Sequence, residues 1–310
     1  GDTASRRRIF TCYPKAASEQ EACAQQIIRR LATRAWRGPV PAAAVDELAG
    51  FYRQGAGQGS FDTGVQYALA RILSDPRFVY RFEHEPDSIR VGDSYVLGGH
   101  ELASRLSFFL WSSIPDDELL RAAGAGELAN PKKLEKQIDR MLADPRVDAL
   151  VRNFAAQWLG LRQLATINPT STEYDGTLRE SMQRETELLF SSILRDDRSV
   201  LELLDADYTF VDERLARHYG MAQVQGSQFR RVPVVDPARR GLLGHASVLT
   251  LTSAPNRTSV VKRGQWVLEN LLGTPPSPPP PGVEVKLDQP PVPGAAPATL
   301  RQRMEQHRTN

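Results

Sequence analysis

Cysteine is almost missing from this chain: two of 310 residues, Cys12 and Cys23. No Cys-x-x-Cys-His occurs, so these residues alone cannot attach a covalent haem c, and no nearby histidine completes a zinc set around the two thiols. A surplus of one charge is missing too. The 39 Lys and Arg against 37 Asp and Glu leave a formal charge of +2, which excludes the strongly basic footprint of a nucleic-acid or anionic-membrane binder. Long apolar runs are absent, and the longest, around 102–111, is broken by Ser and Arg and is far too short to span a bilayer. There is no GxGxxG, no P-loop, no HExxH and no alternation of strand with helix. No internal repeat is apparent. The opening residues, Gly1 to Arg8, are polar, so the chain reads either as the product of signal-peptide removal or as an internal fragment.

What remains is an ordinary globular composition, 41% hydrophobic and 25% charged, in a length that suits two or three domains. Two close cysteines in an otherwise cysteine-free chain favour a local disulfide that staples a loop onto the first helix; free thiols and a metal pair are the alternatives. Apolar residues recur at helical spacing almost throughout. Ile27, Ile28 and Leu31 oppose Arg29, Arg30 and Arg34, behind a Ser18-x-x-Glu21 capping box. Val45, Leu48, Phe51 and Tyr52 mark a second helix, and Val65, Leu69 and Ile72 a third. Leu102, Leu106, Phe109 and Leu110 mark another, and 177–194 is the longest amphipathic run. Short strands are expected at Tyr95–Leu97 and Phe229–Val235. The fold class is all-α with minor strands, arranged as a small helical domain over 9–85, a larger one over 100–221, a helical hairpin over 236–273, and a Pro-rich extended tail with a short helix over 274–310.

No complete catalytic set emerges from spacing. Asp116-Asp117-Glu118 suits a helix N-terminus, and Asp212 suits an N-cap. Asp205, Asp207 and Asp212 offer hard oxygens for calcium but lack the glycine and closing glutamate of an EF-hand loop. The five histidines, His84, His100, His218, His245 and His307, show no paired metal spacing, and each is a candidate axial haem ligand, with His218 favoured. Arg257, Lys262, Arg263 and Trp266 are expected to converge near a helix start, where a carboxylate, sulfate or haem propionate would be held. The competing reading is a solvated helix start with Trp266 in the core. Trp111 joins the candidate ligand-binding residues as an aromatic of unassigned depth.

Three stretches resemble one family. Arg6 to Cys12 with Cys23 and the first helical unit is similar to the small domain of planctomycete-type cytochrome-associated multidomain proteins. Tyr67 to Phe78, Glu101 to Asp116 and Ala206 to Gly220 resemble the next domain, and Arg240 to Gly273 with its proline run resembles the third. The resemblance implies an exported, periplasmic or secreted setting and haem c in the full-length protein, bound by segments flanking this region in the same polypeptide. It supplies no established catalytic residues. The expectation is a central scaffold of a c-type cytochrome oxidoreductase, with a redox partner or a carbohydrate as candidate partner. The alternative is a non-catalytic helical module that binds an anionic ligand, a polysaccharide or another protein.

Overall fold

The computed structural model describes residues 2–277. The Pro-rich segment beyond them, His307 and the short helix expected over Thr299–His307 lie outside the described residues. The chain divides into two compact units, Gly1–Thr258 and Ser259–Asn310. Among the described residues every long element is a helix, and the sheets are two-stranded and antiparallel. β1 (Tyr208–Val211) pairs with β2 (Arg230–Pro233), Tyr208 opposite Pro233, and β3 (Ser253–Ala254) pairs with β4 (Arg257–Thr258). The fold is therefore all-α with minor strands. No strand forms at Tyr95–Leu97, whose side chains meet no neighbouring ladder.

After a short helix, Ala4–Ile9, the first unit packs three helices, Gln20–Trp36, Ala42–Gln58 and Phe61–Ser74, which enclose Ile27, Ile28, Val45, Leu48, Val65 and Ile72. Cys12 and Cys23 form a disulfide that ties the segment after Ala4–Ile9 to the first of these three. The expected Ser18 capping box is not formed. Ser18 falls inside a 3-10 turn, Ala17–Glu19, and the helix starts with no side-chain cap. The Glu21 carboxylate instead accepts from Arg53 Nη1 at 2.6 Å. A capping box does form at Ser60 and Thr63, where the chain enters the third helix from an extended residue.

A local structure hidden in the sequence is built twice. Trp36 and Trp111 each end a helix, Gln20–Trp36 and Gly99–Trp111, and the next residue, Arg37 or Ser112, is left-handed. Each indole N–H donates to a carbonyl near the end of a later helix, Ile72 at 3.4 Å and Met141 at 3.0 Å. Three residues on, Asp75-Pro76-Arg77 and Asp144-Pro145-Arg146 repeat one geometry. The Asp Oδ1 accepts the Arg backbone N–H (2.9 and 2.8 Å) and Nε–H (2.8 and 2.9 Å), while Oδ2 accepts Nη2–H (2.9 and 2.7 Å). Both guanidinium groups then lie 3.5 Å from the centre of their Trp ring. Asp caps the next turn, Pro sits where no N–H is needed, and Arg closes over the aromatic. This is an internal repeat, contrary to the expectation above. It escapes notice because the signature is sparse, Arg-Leu-x4-Trp followed by Arg-(Ile/Met)-Leu-x-Asp-Pro-Arg, and the helices between differ in length.

After helices Asp117–Gly124 and Pro131–Ala143, a short helix, Asp148–Leu150, runs through a π turn, Val151–Ala155, into Ala156–Trp158. Asp116 caps the first of these by accepting Leu119 N–H and also binds Arg140 and Arg146. The long helix Gly176–Arg195 follows, and β1 and helix Glu213–His218 pack on it. Asp212 caps Glu213–His218, as expected, and no three acidic or histidine side chains gather as a metal cluster among the described residues. In the second unit, Ser259 caps helix Val260–Trp266, which ends in a π turn, Val267–Leu271.

Removal of the disulfide by a Cys12→Ser/Cys23→Ser double variant is expected to cost about 2–3 kcal/mol for so short a loop, read by urea unfolding; unchanged stability would rule out a role as a staple. Asp144→Asn keeps a capping side chain but loses the charged pair with Arg146, and is expected to cost about 1 kcal/mol at neutral pH. Arg146 holds the Asp144 carboxyl down at about 2 against 3.8, so its contribution is present above pH 3.8 and is lost as pH falls towards 2. The variant should lack that part of the acid-induced decline, and a profile parallel to that of the parent chain would contradict the clasp.

Candidate functional site

The stretch Arg239 to Ser247 wraps against the long helix because two glycines let it. Asp236 caps the 3-10 turn Pro237–Arg239. Gly241 follows at φ +58°, and a Cβ there would lie 2.4 Å from the Leu204 carbonyl oxygen. At Gly244 a Cβ would meet the Arg239 carbonyl oxygen at 2.2 Å. Only glycine allows either approach. The turn so made delivers Arg239, His245, Ala246 and Ser247 to the face of Gly176–Arg195 that carries Glu185 and Thr186.

That face is mainly apolar: Leu178, Met182, Leu189 and Ile193 are buried at helical spacing with Ser181 and Thr186 beside them, and Glu185, 1% exposed, stands in the same stripe. Its carboxylate is satisfied on both oxygens. Thr209 of β1 donates to Oε1 at 2.5 Å, and the Tyr219 hydroxyl donates to Oε2 at 2.5 Å. Tyr219 accepts in turn from the Ala246 N–H at 2.8 Å. Burial raises the Glu185 carboxyl to about 7, against the opposing pull of these hydrogen bonds and of Arg239. The Tyr219 hydroxyl is raised well above its usual value, first by burial and then by Glu185.

Next to it, His245 is 1% exposed, and its Nδ1 lies 2.9 Å from Thr186 Oγ1, which is 2.7 Å from Ser247 Oγ. The His245 Nε2 lies 3.9 Å from Glu185 Oε1, beyond hydrogen-bond reach, and has no partner. Burial lowers the imidazole to about 3, so the ring is neutral and the contact with Glu185 is not an ion pair at ordinary pH. The Arg239 guanidinium lies 4.4 Å from the Tyr219 ring centre, and its Nη1 is buried without a partner. Glu185 and His245 are both sealed from solvent, so they can hold protons and fix neighbours but cannot reach an external substrate.

A cavity of about 220 Å³ opens beside this network, lined by Arg239, His218, Ile167, Pro169, Leu249 and Ala254 among others. His218 ends helix Glu213–His218 and is held below its ordinary value by partial burial first, then by Arg239 and Arg214. Of the sequence-predicted site residues, His218 alone lines this cavity. Trp111 is 3% exposed, with its N–H on Met141 and Arg146 on its ring, so it belongs to the core. Arg257 lies on β4 in the first unit, whereas Lys262, Arg263 and the buried Trp266 lie in the second. That helix is seven residues long.

Glu185, Thr186, Thr209, Tyr219, Arg239 and Ser247 are not among the candidates that the sequence pattern singles out. One signal was present: Glu185 falls on the apolar stripe of its helix, three residues after Met182 and four before Leu189.

Three protein-family models match the chain. PSD5, a protein of unknown function (DUF1595), matches residues 23–83; PSD4, likewise of unknown function (DUF1592), matches 97–221; and PSCyt3, of unknown function (DUF1588), matches 239–310. No curated protein and no solved structure matches it.

Glu185→Gln tests the buried carboxyl. Its folded value of about 7 exceeds the ordinary 4.5, so its ionisation penalises folding as pH rises from 4.5 to about 7. His245 acts the opposite way: lowered to about 3 from 6.5, it adds stability as pH rises through that window. In the parent chain the two slopes oppose each other between 4.5 and 6.5. In Glu185→Gln the His245 slope stands alone, and the variant gains roughly 2–3 kcal/mol relative to the parent across the Glu185 window. Chemical unfolding across that range is the measurement; parallel profiles would refute the assignment.

Proposed function

Because the chain is built from three planctomycete cytochrome-associated domains of unknown function, we propose that it is the central scaffold of an exported c-type cytochrome oxidoreductase, fixing the geometry between haem-bearing segments elsewhere in the same polypeptide. The observation that carries this reading is the buried seam around Glu185. Glu185, Thr186, Thr209 and Tyr219 lie in the PSD4 region and Arg239, His245, Ala246 and Ser247 in the PSCyt3 region. Hydrogen bonds buried between them cost much to leave unmade, so they hold residues 239–258, the start of the PSCyt3 region, against the PSD4 region. Electron transfer between haems demands that kind of rigidity, and the redox chemistry itself would belong to the haem.

Haem c does not fit the residues of this chain. Its thioether bonds need two free thiols before a histidine, and Cys12 and Cys23 are bonded to each other. The haem of this proposal therefore resides on flanking sequence. The intrachain disulfide suits an oxidising compartment, which agrees with export to the periplasm or beyond.

The test is the uncut gene product, expressed in a host that matures c-type haem. Sharp c-type bands in the reduced-minus-oxidised spectrum are expected. A featureless spectrum from a folded protein would overturn the reading.

A further inference from the structure

We propose that the cavity beside Arg239 seats a small monocarboxylic acid with a short apolar stem. This does not rest on the cytochrome reading, and a full-length protein without haem would leave it standing.

The argument begins with Arg239. It lines the cavity, and its Nη1 is buried without a partner. The guanidinium is held against the Tyr219 ring, and the carboxylate nearest in the network, Glu185, has both oxygens taken by Thr209 and Tyr219. A buried charged donor left unmade is costly, and a carboxylate is the group whose geometry matches a guanidinium edge. His218 supplies a second polar group at the same wall, where an imidazole accepts or donates a hydrogen bond as the ligand requires.

The rest of the wall selects the stem. Ile167, Pro169, Leu249 and Ala254 are apolar. Ser253 donates to the Leu249 carbonyl at 2.7 Å, so its proton is spent, whereas the Thr250 hydroxyl has only the weak acceptor Met182 Sδ at 3.8 Å. At about 220 Å³ the cavity is smaller than the roughly 300–1,000 Å³ of sites for drug-sized ligands. Among its lining residues Arg239 is the one permanent cation, which suits a single negative charge. Phosphate and sulfate would press further charged oxygens against the Ile167, Pro169, Leu249 and Ala254 side chains, which offer no donors.

Calorimetric titration of the 310-residue chain with butyrate and with its neutral isostere butyramide is the test. Butyrate is expected to bind in the millimolar range or tighter, and butyramide about tenfold or more weakly, because it cannot make the charge-assisted contact. Arg239→Gln should weaken butyrate by a similar factor and leave butyramide unaffected. Arg239 also stacks on Tyr219, so a second variant guards against a folding defect: Ala254→Leu places a larger apolar side chain in the cavity lining and should abolish binding of both. Equal binding of butyrate and butyramide would overturn the proposal. So would tighter binding of inorganic phosphate, retention of binding in folded Ala254→Leu, or no heat from butyrate at millimolar concentration.

Discussion

The arrangement of the larger unit depends on keeping one carboxylate, Glu185, dry. An ionisable group that is 1% exposed is tolerated only when its oxygens find donors. Those donors come from separate elements: Thr209 from β1 and Tyr219 from the end of helix Glu213–His218. Tyr219 must then be placed by something else, and the Ala246 N–H, delivered by the Gly241 and Gly244 turns, does so. One acidic residue in an apolar stripe thus sets the positions of a strand, a helix end and the start of the next domain. An apolar residue of similar size would bury more comfortably, but it would leave the Thr209 and Tyr219 hydroxyls without acceptors and the three elements without a shared register.

Arginine serves the rest of the unit in a way lysine could not. Arg77 and Arg146 each bind an aspartate through two nitrogens while lying flat on an indole. Buried Arg37 donates to the carbonyls of Ala35, Arg77 and Tyr80 and so ties down the chain after helix Phe61–Ser74. Planarity and a fork of fixed donors are what these sites use, and an ammonium has neither. The excess of Arg over Lys is a structural requirement here, which accounts for a near-neutral chain that is nonetheless rich in guanidinium groups.

Helical periodicity carried most of the fold, because each apolar stripe meets its core through local geometry alone. Asp116 and Asp212 were legible as caps for the same reason: the cap and the N–H it accepts lie three residues apart. The Ser18 box does not form because Ser18 is drawn into a 3-10 turn and the Glu21 carboxylate pairs with Arg53, a residue 32 positions away. The candidate site was largely illegible. Its members come from 185–186, 209, 219 and 239–247, and what unites them is a set of hydrogen bonds spanning 24 to 61 residues of sequence.

The seam and the cavity follow from one another. Closing the Arg239–His245 turn over Glu185 satisfies the carboxylate but leaves two buried nitrogens without partners, Arg239 Nη1 and His245 Nε2. They are not equivalent. The His245 nitrogen sits in a fully enclosed network, and its ring is neutral, so the cost of its missing bond is that of an uncharged group. The arginine is charged, and its side chain lines the cavity. The fold supplies Arg77 and Arg146 with aspartates and buried Arg37 with carbonyls. Arg239, stacked on Tyr219 at the cavity wall, receives neither, and a ligand carboxylate is what would complete it.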